Sequence, residues 1–484
     1  MDSSKNSYID NTFARGFIMF ENALGFSNII RSSNVNGFLQ GWKQTFFGPA
    51  ELWIDPRLNY ATQRDNNHGV GVMGLCLNPF DGKNDNQSIS EKLYSALKES
   101  EVAFFDYVDE LSGSFIIMYR IGAKVKLLQD CAAAKAVYYS SSSRFGTIAS
   151  SHANLISIPL GLTPDSRAER VYQNKTYAKD PSRYLPGMIS HFEGLYALTA
   201  NTALDLQTAK PKRFFPREKL APQKLTTKLV RNVSKIMRNQ AKLLAARGRP
   251  MMVATTAGRD SRVSFSSLAR YEHTRFFSFH ISQSGHLSED VKVAQSLVSK
   301  IGKELEVYDL PNYNDPKFRK TFSMTSPRGI WIAAAQCYID EFPSDAIHVR
   351  STVSEIGRMF YGRRSAKTVT AQTLARTFTV TNFGLDPMVI DAMQEYIDRT
   401  SFSEKYFYNY DFYDMFYWEH RNSKWQNILC LEAEMASDVF IPFNNRRLMM
   451  LFLGLPEKER KAASLHVAIT REMCPEIADV PYIS

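Results

Sequence analysis

The sequence predicts a mixed α/β chain in two parts: a mostly β, layered α+β half, then an α/β half built on a parallel sheet with a helical end. Three observations predict this. Up to residue 208, short segments alternate in polarity between turn residues. From Leu225 onward, long helical patterns alternate with short apolar strands, the signature of a parallel sheet. One of those strands, Met251-Met252-Val253-Ala254, runs into a small-residue loop that carries Asp and Ser.

In the first half, Gly113 to Tyr119 and Ala123 to Leu128 read as a hairpin across Arg120-Ile121-Gly122. Tyr138-Tyr139, Thr147 to Ser150 and Leu195 to Leu198 read as further strands. The Pro- and Lys-rich stretch that follows reads as a connection, which divides the chain into 1–208, a basic linker 209–224, and 225–484. In the second half a helix is expected over 225–246, a strand over 250–256 and a helix over 262–270. A strand over 275–281, a helix from Glu289 to Ile301 and a strand over 304–308 continue the alternation, with Ile347 to Ser351 as a later strand. The last hundred residues read as helical and aromatic.

A chain of 484 residues accommodates two or three domains. With 44% hydrophobic and 22% charged residues it has the balance of a folded globular protein. No run of 18 apolar residues occurs, so no membrane span is expected, and the polar start Met-Asp-Ser-Ser-Lys does not resemble a signal peptide. Five scattered cysteines without a Cys-x-x-Cys pair argue for reduced thiols, a cytoplasmic location and no zinc site. The net charge is +10, much of it within 209–249. There the helical part spaces Leu229, Val233, Ile236 and Met237 on one face, so the charge reads as a solvated helix face rather than a nucleic-acid surface.

The loop Thr256-Ala257-Gly258-Arg259-Asp260-Ser261 carries the chemistry. Small residues let the backbone approach a ligand closely. Free amides at the turn and helix start favour an anion. Asp260 is suited to a divalent cation bridging phosphates, and Ser261 to a phosphate oxygen. No Gly-Lys-Ser/Thr follows, so this is not a Walker A loop. Trp418-Glu419-His420-Arg421 places charge inside an aromatic cluster, and Glu419 and Arg421 are candidates for substrate contact or a paired buried network.

The same loop resembles the Ser-Gly-Gly-x-Asp-Ser loop of the PP-loop ATP pyrophosphatases, in the version found in asparagine synthetases. Five further blocks resemble that family. Asp109 to Phe115 and Leu127 to Tyr139 are similar to stretches of its glutamine-hydrolysing domain, with Gln129, Ala133 and Ala136 replacing Arg, Gly and Pro. Ser288 to Ala294 followed by Lys300-Ile301-Gly302 is similar to its post-loop helix. Ser354 to Gly362 resembles its Gly-Glu-Gly-x-Asp-Glu loop, and Asp438 to Leu448 its Pro-Phe-Leu-Asp-x-Arg-Leu block. The resemblance implies an Ntn-hydrolase-like layered α+β domain of the class II glutamine amidotransferase type. An α/β PP-loop domain, adenine nucleotide alpha hydrolase-like, then follows, with a helical C-terminal part.

The resemblance also implies an activity and its residues. ATP and Mg²⁺ activate a small-molecule or peptide carboxylate as its adenylate with release of pyrophosphate, and an amine attacks to give an amide. Thr256, Ala257, Gly258, Arg259, Asp260, Ser261 and Ser354 are the expected ATP and pyrophosphate residues, with Asp260 the Mg²⁺ ligand. Glu355 is expected to position or deprotonate the amine. Arg358 stands where the family has a second acidic metal ligand, which suits it to grip a carboxylate or pyrophosphate instead. Ser464 falls where the family's late lysine is expected, so Lys461 is the candidate replacement, with Arg460 and His466 nearby.

The family's glutaminase nucleophile is an N-terminal cysteine, and here Asp2 takes that place. A carboxylate cannot supply an activated thiolate. The expectation is an ATP-dependent carbon-nitrogen ligase without glutamine hydrolysis, as in the β-lactam synthetases and lasso-peptide cyclases. Its amine is ammonia, a second molecule, or part of the substrate itself. Two other readings stand beside it: an adenylating RNA-modifying enzyme, and an inactive binding protein.

Overall fold

The computed structural model describes residues 8–21, 37, 39–142, 146–180, 183–281, 287–362, 366 and 368–483. The first part forms two six-stranded antiparallel sheets. One runs in the order β10 (Tyr196–Ala197), β8 (Tyr138–Ser142), β9 (Gly146–Ser150), β1 (Phe17–Phe20), β3 (Ala50–Ile54) and β2 (Lys43–Phe47). The other runs β12 (Lys210–Arg213), β11 (Thr202–Asp205), β7 (Lys124–Gln129), β6 (Ser112–Ile121), β5 (His68–Leu77) and β4 (Tyr60–Arg64).

Strand periodicity explains how the layers stack. Alternate side chains of a strand point to opposite faces. Phe17 and Met19 of β1 therefore share one core with Met73, Ile116, Met118 and Leu127 of the facing sheet. Ile18 and Phe20 point the other way, against Leu155 and Ile156 of the helix Ala153–Leu160. Ile117, Tyr119 and Leu128 face outward onto Ile89, Leu93 and Phe104 of the helices Asn86–Glu99 and Glu101–Val108. The result is four layers: helix, sheet, sheet, helix.

The stretch 209–224 is not wholly a connection. Lys210–Arg213 pairs antiparallel with β11 as the edge strand of the second sheet. Lysines and a proline disguise it, and an edge strand tolerates both because one side needs no ladder partner.

The second part is a five-stranded, all-parallel sheet in the order β15 (Leu305–Asp309), β14 (Thr274–His280), β13 (Met251–Ala254), β16 (Ile347–Val349) and β17 (Asp438–Phe440). Helices cover both faces. Met251 and Val253 pack with Leu244, Phe265, Leu268 and Leu297 from three helices, while Met252 joins the core on the other face. The basic helix Thr227–Ala245 buries Leu229, Val233, Ile236 and Met237, as its spacing predicts. Among the described residues no helix is long and apolar enough to cross a membrane.

The segment after β17 clamps the two parts together. Asn444 donates to Gly113 O at 2.5 Å and to Asp130 Oδ1 at 2.7 Å, and accepts from Ala132 N at 2.8 Å. Asn445 forms an isolated bridge with Ser112 and donates to Glu110 O at 2.7 Å. Arg446 is buried and pairs with Asp109 at 3.0 Å. Removing one partner of a buried hydrogen-bonded set leaves the others unsatisfied, at about 1–3 kcal/mol each. Asn444→Ala is therefore expected to lower the unfolding free energy by more than about 2 kcal/mol in a urea titration. A change under about 0.5 kcal/mol, the range of an ordinary surface substitution, would show that Asn444 is not part of the clamp.

Candidate functional site

Strand order locates the site. From β13 the chain adds β14 and β15 on one side, then returns to add β16 and β17 on the other. The order reverses between β13 and β16. At such a point the loops leaving the carboxyl ends of the two central strands diverge and open a crevice. The loop leaving β13 is Thr255 to Gly258, and the loop leaving β16 is Arg350 to Val353.

The two loops meet at Asp260. Arg358 grips its carboxylate as a fork, Nη2 to Oδ2 at 2.5 Å and Nε to Oδ1 at 3.1 Å. Ser354 Oγ donates to the same Oδ1. His466 Nε2 lies 3.7 Å from Oδ1, on a buried ring packed between Phe443 and Phe452. Burial pushes the imidazole down to about 4, so it is neutral at ordinary pH. Glu355 accepts from Tyr417 Oη at 2.7 Å. Its pKa is raised, first by burial and then by the nearby Asp260 charge.

The β13 loop is held by its own side chains. Thr256 Oγ1 and Ser261 Oγ share a hydrogen bond at 2.8 Å, and Gly258 N donates to Thr256 Oγ1 at 3.2 Å. Gly258 is the N-cap of the helix Arg259–Leu268 and supplies no side chain to its first-turn amides. Those amides and the positive end of the helix dipole are the anion-favouring feature expected of this loop. The hydroxyls of Ser351 and Thr352 and the Nε of Arg259 are buried and have no hydrogen-bond partner among the described residues. The β16 loop holds a strained residue: Val353, fully buried and β-branched, has φ +77°. Such a conformation costs on the order of 1–3 kcal/mol and is retained where the surroundings impose it.

The expected residues divide. Thr256, Gly258, Asp260, Ser261, Ser354, Glu355 and Arg358 come together across the two loops. Ala257 differs from expectation, because its amide is not free: it donates to Asp290 Oδ1 of the helix Glu289–Lys300 at 2.8 Å. Arg259 lies 5.4 Å from the Tyr482 ring, near the chain's end. Arg262 is held there through its Nη atoms, donating to Val480 O and Ala257 O under the same ring.

Lys461 is half exposed and pairs with Glu457 one turn back at 2.5 Å. Its neighbour Arg460 is the residue that reaches the loop, donating to Ile356 O at 2.7 Å while Asp414 holds its fork at 2.7 and 2.8 Å. Glu419 is completely buried and bound by Arg213 at 2.5 and 2.7 Å and by Asn201 at 3.1 Å. It thus belongs to a paired buried network rather than to a substrate surface. Arg421 stacks between Phe360 and Trp425, each 4.5 Å from its guanidinium. Phe360 follows the Arg358 loop, so Arg421 supports that loop from below.

Sequence reasoning missed Asp290, Asp414 and Tyr417, none of which lies near the loops in the chain. It also missed that Tyr417–Gln426 winds as a π-helix inside the helical run Phe412–Glu434. That wider turn buries Lys424, whose Nζ donates to Ile189 O at 2.5 Å. Burial pushes the amine down to about 7.

No family model and no curated protein matches the chain. Among solved structures, the allosteric regulatory enzyme of purine biosynthesis aligns with 63% of this chain and 77% of its own, at 10% identity and a TM-score of 0.25. Glutamine phosphoribosylpyrophosphate amidotransferase from B. subtilis, complexed with ADP and GMP, aligns over 80% and 74%, at 8% identity and a TM-score of 0.24. Scores this low do not establish a common fold.

Two outcomes follow from the buried charges. Glu419→Ala strands Arg213 in the interior, and removing one partner of a buried pair costs about 3–5 kcal/mol. Calorimetry is expected to show a large fall in melting temperature for this variant, and an unchanged melting curve would place Glu419 outside the core. For Lys424 the unfolded chain binds its proton up to about pH 10.5, whereas the folded chain releases it near pH 7. Stability from this group therefore rises between pH 7 and 10. Lys424→Met should remove that rise, and parallel wild-type and variant curves over this range would refute the neutral buried amine.

Proposed function

We propose that the chain is an ATP-dependent, AMP- and pyrophosphate-forming amide ligase of the asparagine synthetase type, acting without glutamine hydrolysis. One observation carries the reading: Asp260 of the β13 loop meets Ser354 and Arg358 of the β16 loop, at the point where strand order reverses. The two loops leave the central strands on either side of one crevice. The N-terminal four-layer sandwich is, on this reading, the counterpart of the family's glutaminase. Asp2, which stands in for its nucleophile, lies outside the described residues.

The residues suit the triphosphate. Among the described residues, the hydroxyls of Ser351 and Thr352 in the β16 loop and Arg259 Nε at the start of the helix Arg259–Leu268 are donors without acceptors. Phosphate oxygens supply the acceptors these groups lack. The fit to Mg²⁺ is narrower. Among the described residues no three His, Cys, Asp or Glu side chains stand together as a metal site. Asp260 is already held by Arg358 and Ser354. A Mg²⁺ ion bound to the triphosphate needs only one or two protein carboxylates, and Asp260 would supply one.

Glu355 is suited to take a proton from the attacking amine, because its raised pKa makes it a stronger base than an ordinary carboxylate. Tyr417 fixes the direction of that carboxylate. Arg358 is suited to anchor negative charge developing on a phosphate or carboxylate. His466, neutral and buried, walls the cluster on the side of the late helix Ser464–Met473, where the family's lysine is absent.

Thermal unfolding with and without Mg²⁺-ATP tests the reading. Ligand at a hundred times its Kd stabilises the wild type by roughly 2.7 kcal/mol. Asp260→Ala should lose this shift and, with a competent substrate pair, lose pyrophosphate release. A nucleotide shift retained in Asp260→Ala would remove Asp260 from the site, and no shift in the wild type would favour an inactive binding protein.

A further inference from the structure

A large cavity of about 930 Å³ lies away from the Asp260 cluster, between the N-terminal turn Tyr8–Asn11 and the helices Pro316–Thr325 and Ile332–Glu341. Phe342 and Ser344 of its lining stand just ahead of β16, and its Arg15 binds Asp438, the first residue of β17. The cavity therefore opens at the amino ends of the strands, whereas the Asp260 cluster stands at their carboxyl ends. Its size is that of sites for small organic ligands, about 300–1,000 Å³.

The cations of the lining separate into paired and unpaired groups. Arg57 is bound by Asp55 at 2.7 and 2.9 Å, and Arg15 by Asp438 at 3.1 Å and Glu434 O at 2.9 Å. Two carboxylates also line the cavity and keep their charge, because their donors are neutral: Asp315 accepts from Lys317 N at 2.8 Å, and Asp340 from Tyr8 Oη at 3.3 Å and from Gln336 at 3.2 Å. Lys317 and Lys320 remain. They lie one turn apart on one helix, both line the cavity, both are exposed, and neither pairs with a carboxylate among the described residues. Met324, Ile339 and Phe342 make the deeper wall apolar.

We propose that this cavity binds an amphipathic anion: an aryl or alkyl body ending in a carboxylate, sulfonate or phosphate. The apolar body lies against Met324, Ile339 and Phe342, where it leaves water. The anionic head meets Lys317 and Lys320 at the mouth, where the attraction is screened by salt. The site is separate from the nucleotide crevice and does not depend on the ligase reading.

Titration of the full chain with 1-anilinonaphthalene-8-sulfonate tests the proposal, since this aryl sulfonate fluoresces on leaving water. The expected result is saturable binding of one molecule per chain, weakened by added salt and undisturbed by Mg²⁺-ATP. Lys317→Glu with Lys320→Glu should weaken it about tenfold without changing the melting temperature, because both side chains are exposed. Ala436→Trp, which fills the cavity from its floor, should weaken binding of both the sulfonate and the uncharged N-phenyl-1-naphthylamine. The uncharged amine should be indifferent to the lysine changes. Absence of saturable binding, equal affinity for the uncharged probe, or displacement by Mg²⁺-ATP would each overturn the proposal.

Discussion

A buried carboxylate at the centre of the seam ties the two parts of this molecule together. Asp130 accepts from the amides of Phe115, Ala132, Ala134 and Lys135 and from the side chain of Asn444. The first four belong to the sandwich, and the fifth to the segment that leaves β17 of the parallel sheet. Burial holds the Asp130 carboxyl up at about 6 in spite of those five donors. A buried carboxyl is tolerated only when its lone pairs are filled, so the geometry of both partners is narrowly prescribed. Lys135 extends the same seam to Glu434 at 2.8 Å.

That seam positions the candidate site from behind. β17 carries Asp438 at one end and the Asn444 clamp beyond the other, so the sandwich is fastened to the sheet at both ends of one strand. The β16 loop lies beside it. Val353 is forced to a positive φ, Arg460 pins Ile356 O, and Arg421 lies beneath Phe360. The carboxylates of Asp260 and Glu355 are thus held close in a poorly solvated space, with Arg358 between them to offset their repulsion. On the proposed reading, this arrangement stores a strong base beside an anion-favouring helix start.

The legible parts of the fold were those with a local period. The strands Met251–Ala254, Thr274–His280 and Leu305–Asp309 and the helices between them follow directly from apolar runs alternating with 3.6-residue patterns. The hairpin of β6 and β7 follows from alternation about a Gly turn. β12 was hidden because an edge strand tolerates the Lys-Pro-Lys-Arg composition that otherwise marks a linker. The π-helix at Tyr417–Gln426 was hidden because nothing local in its residues favours a wider turn over an α-turn. Glu419 and Arg421 were correctly read as charge inside an aromatic cluster, yet Arg213, the partner that neutralises Glu419, lies on the far side of the chain.

By itself, the sequence determined the mixed α/β class and, from Thr227 to Asp309, the alternation of helices and strands. These depend on neighbours within a turn or two, where periodicity and loop chemistry act. The tertiary structure alone decided which strands lie side by side, where strand order reverses, and hence that Asp260 meets Arg358 rather than a second acid. It also decided that Ala257's amide belongs to Asp290 and that Lys461 faces Glu457. The reason is physical: charge pairing and burial join groups that are far apart in the chain, and their strength is set by the solvent that the completed fold excludes.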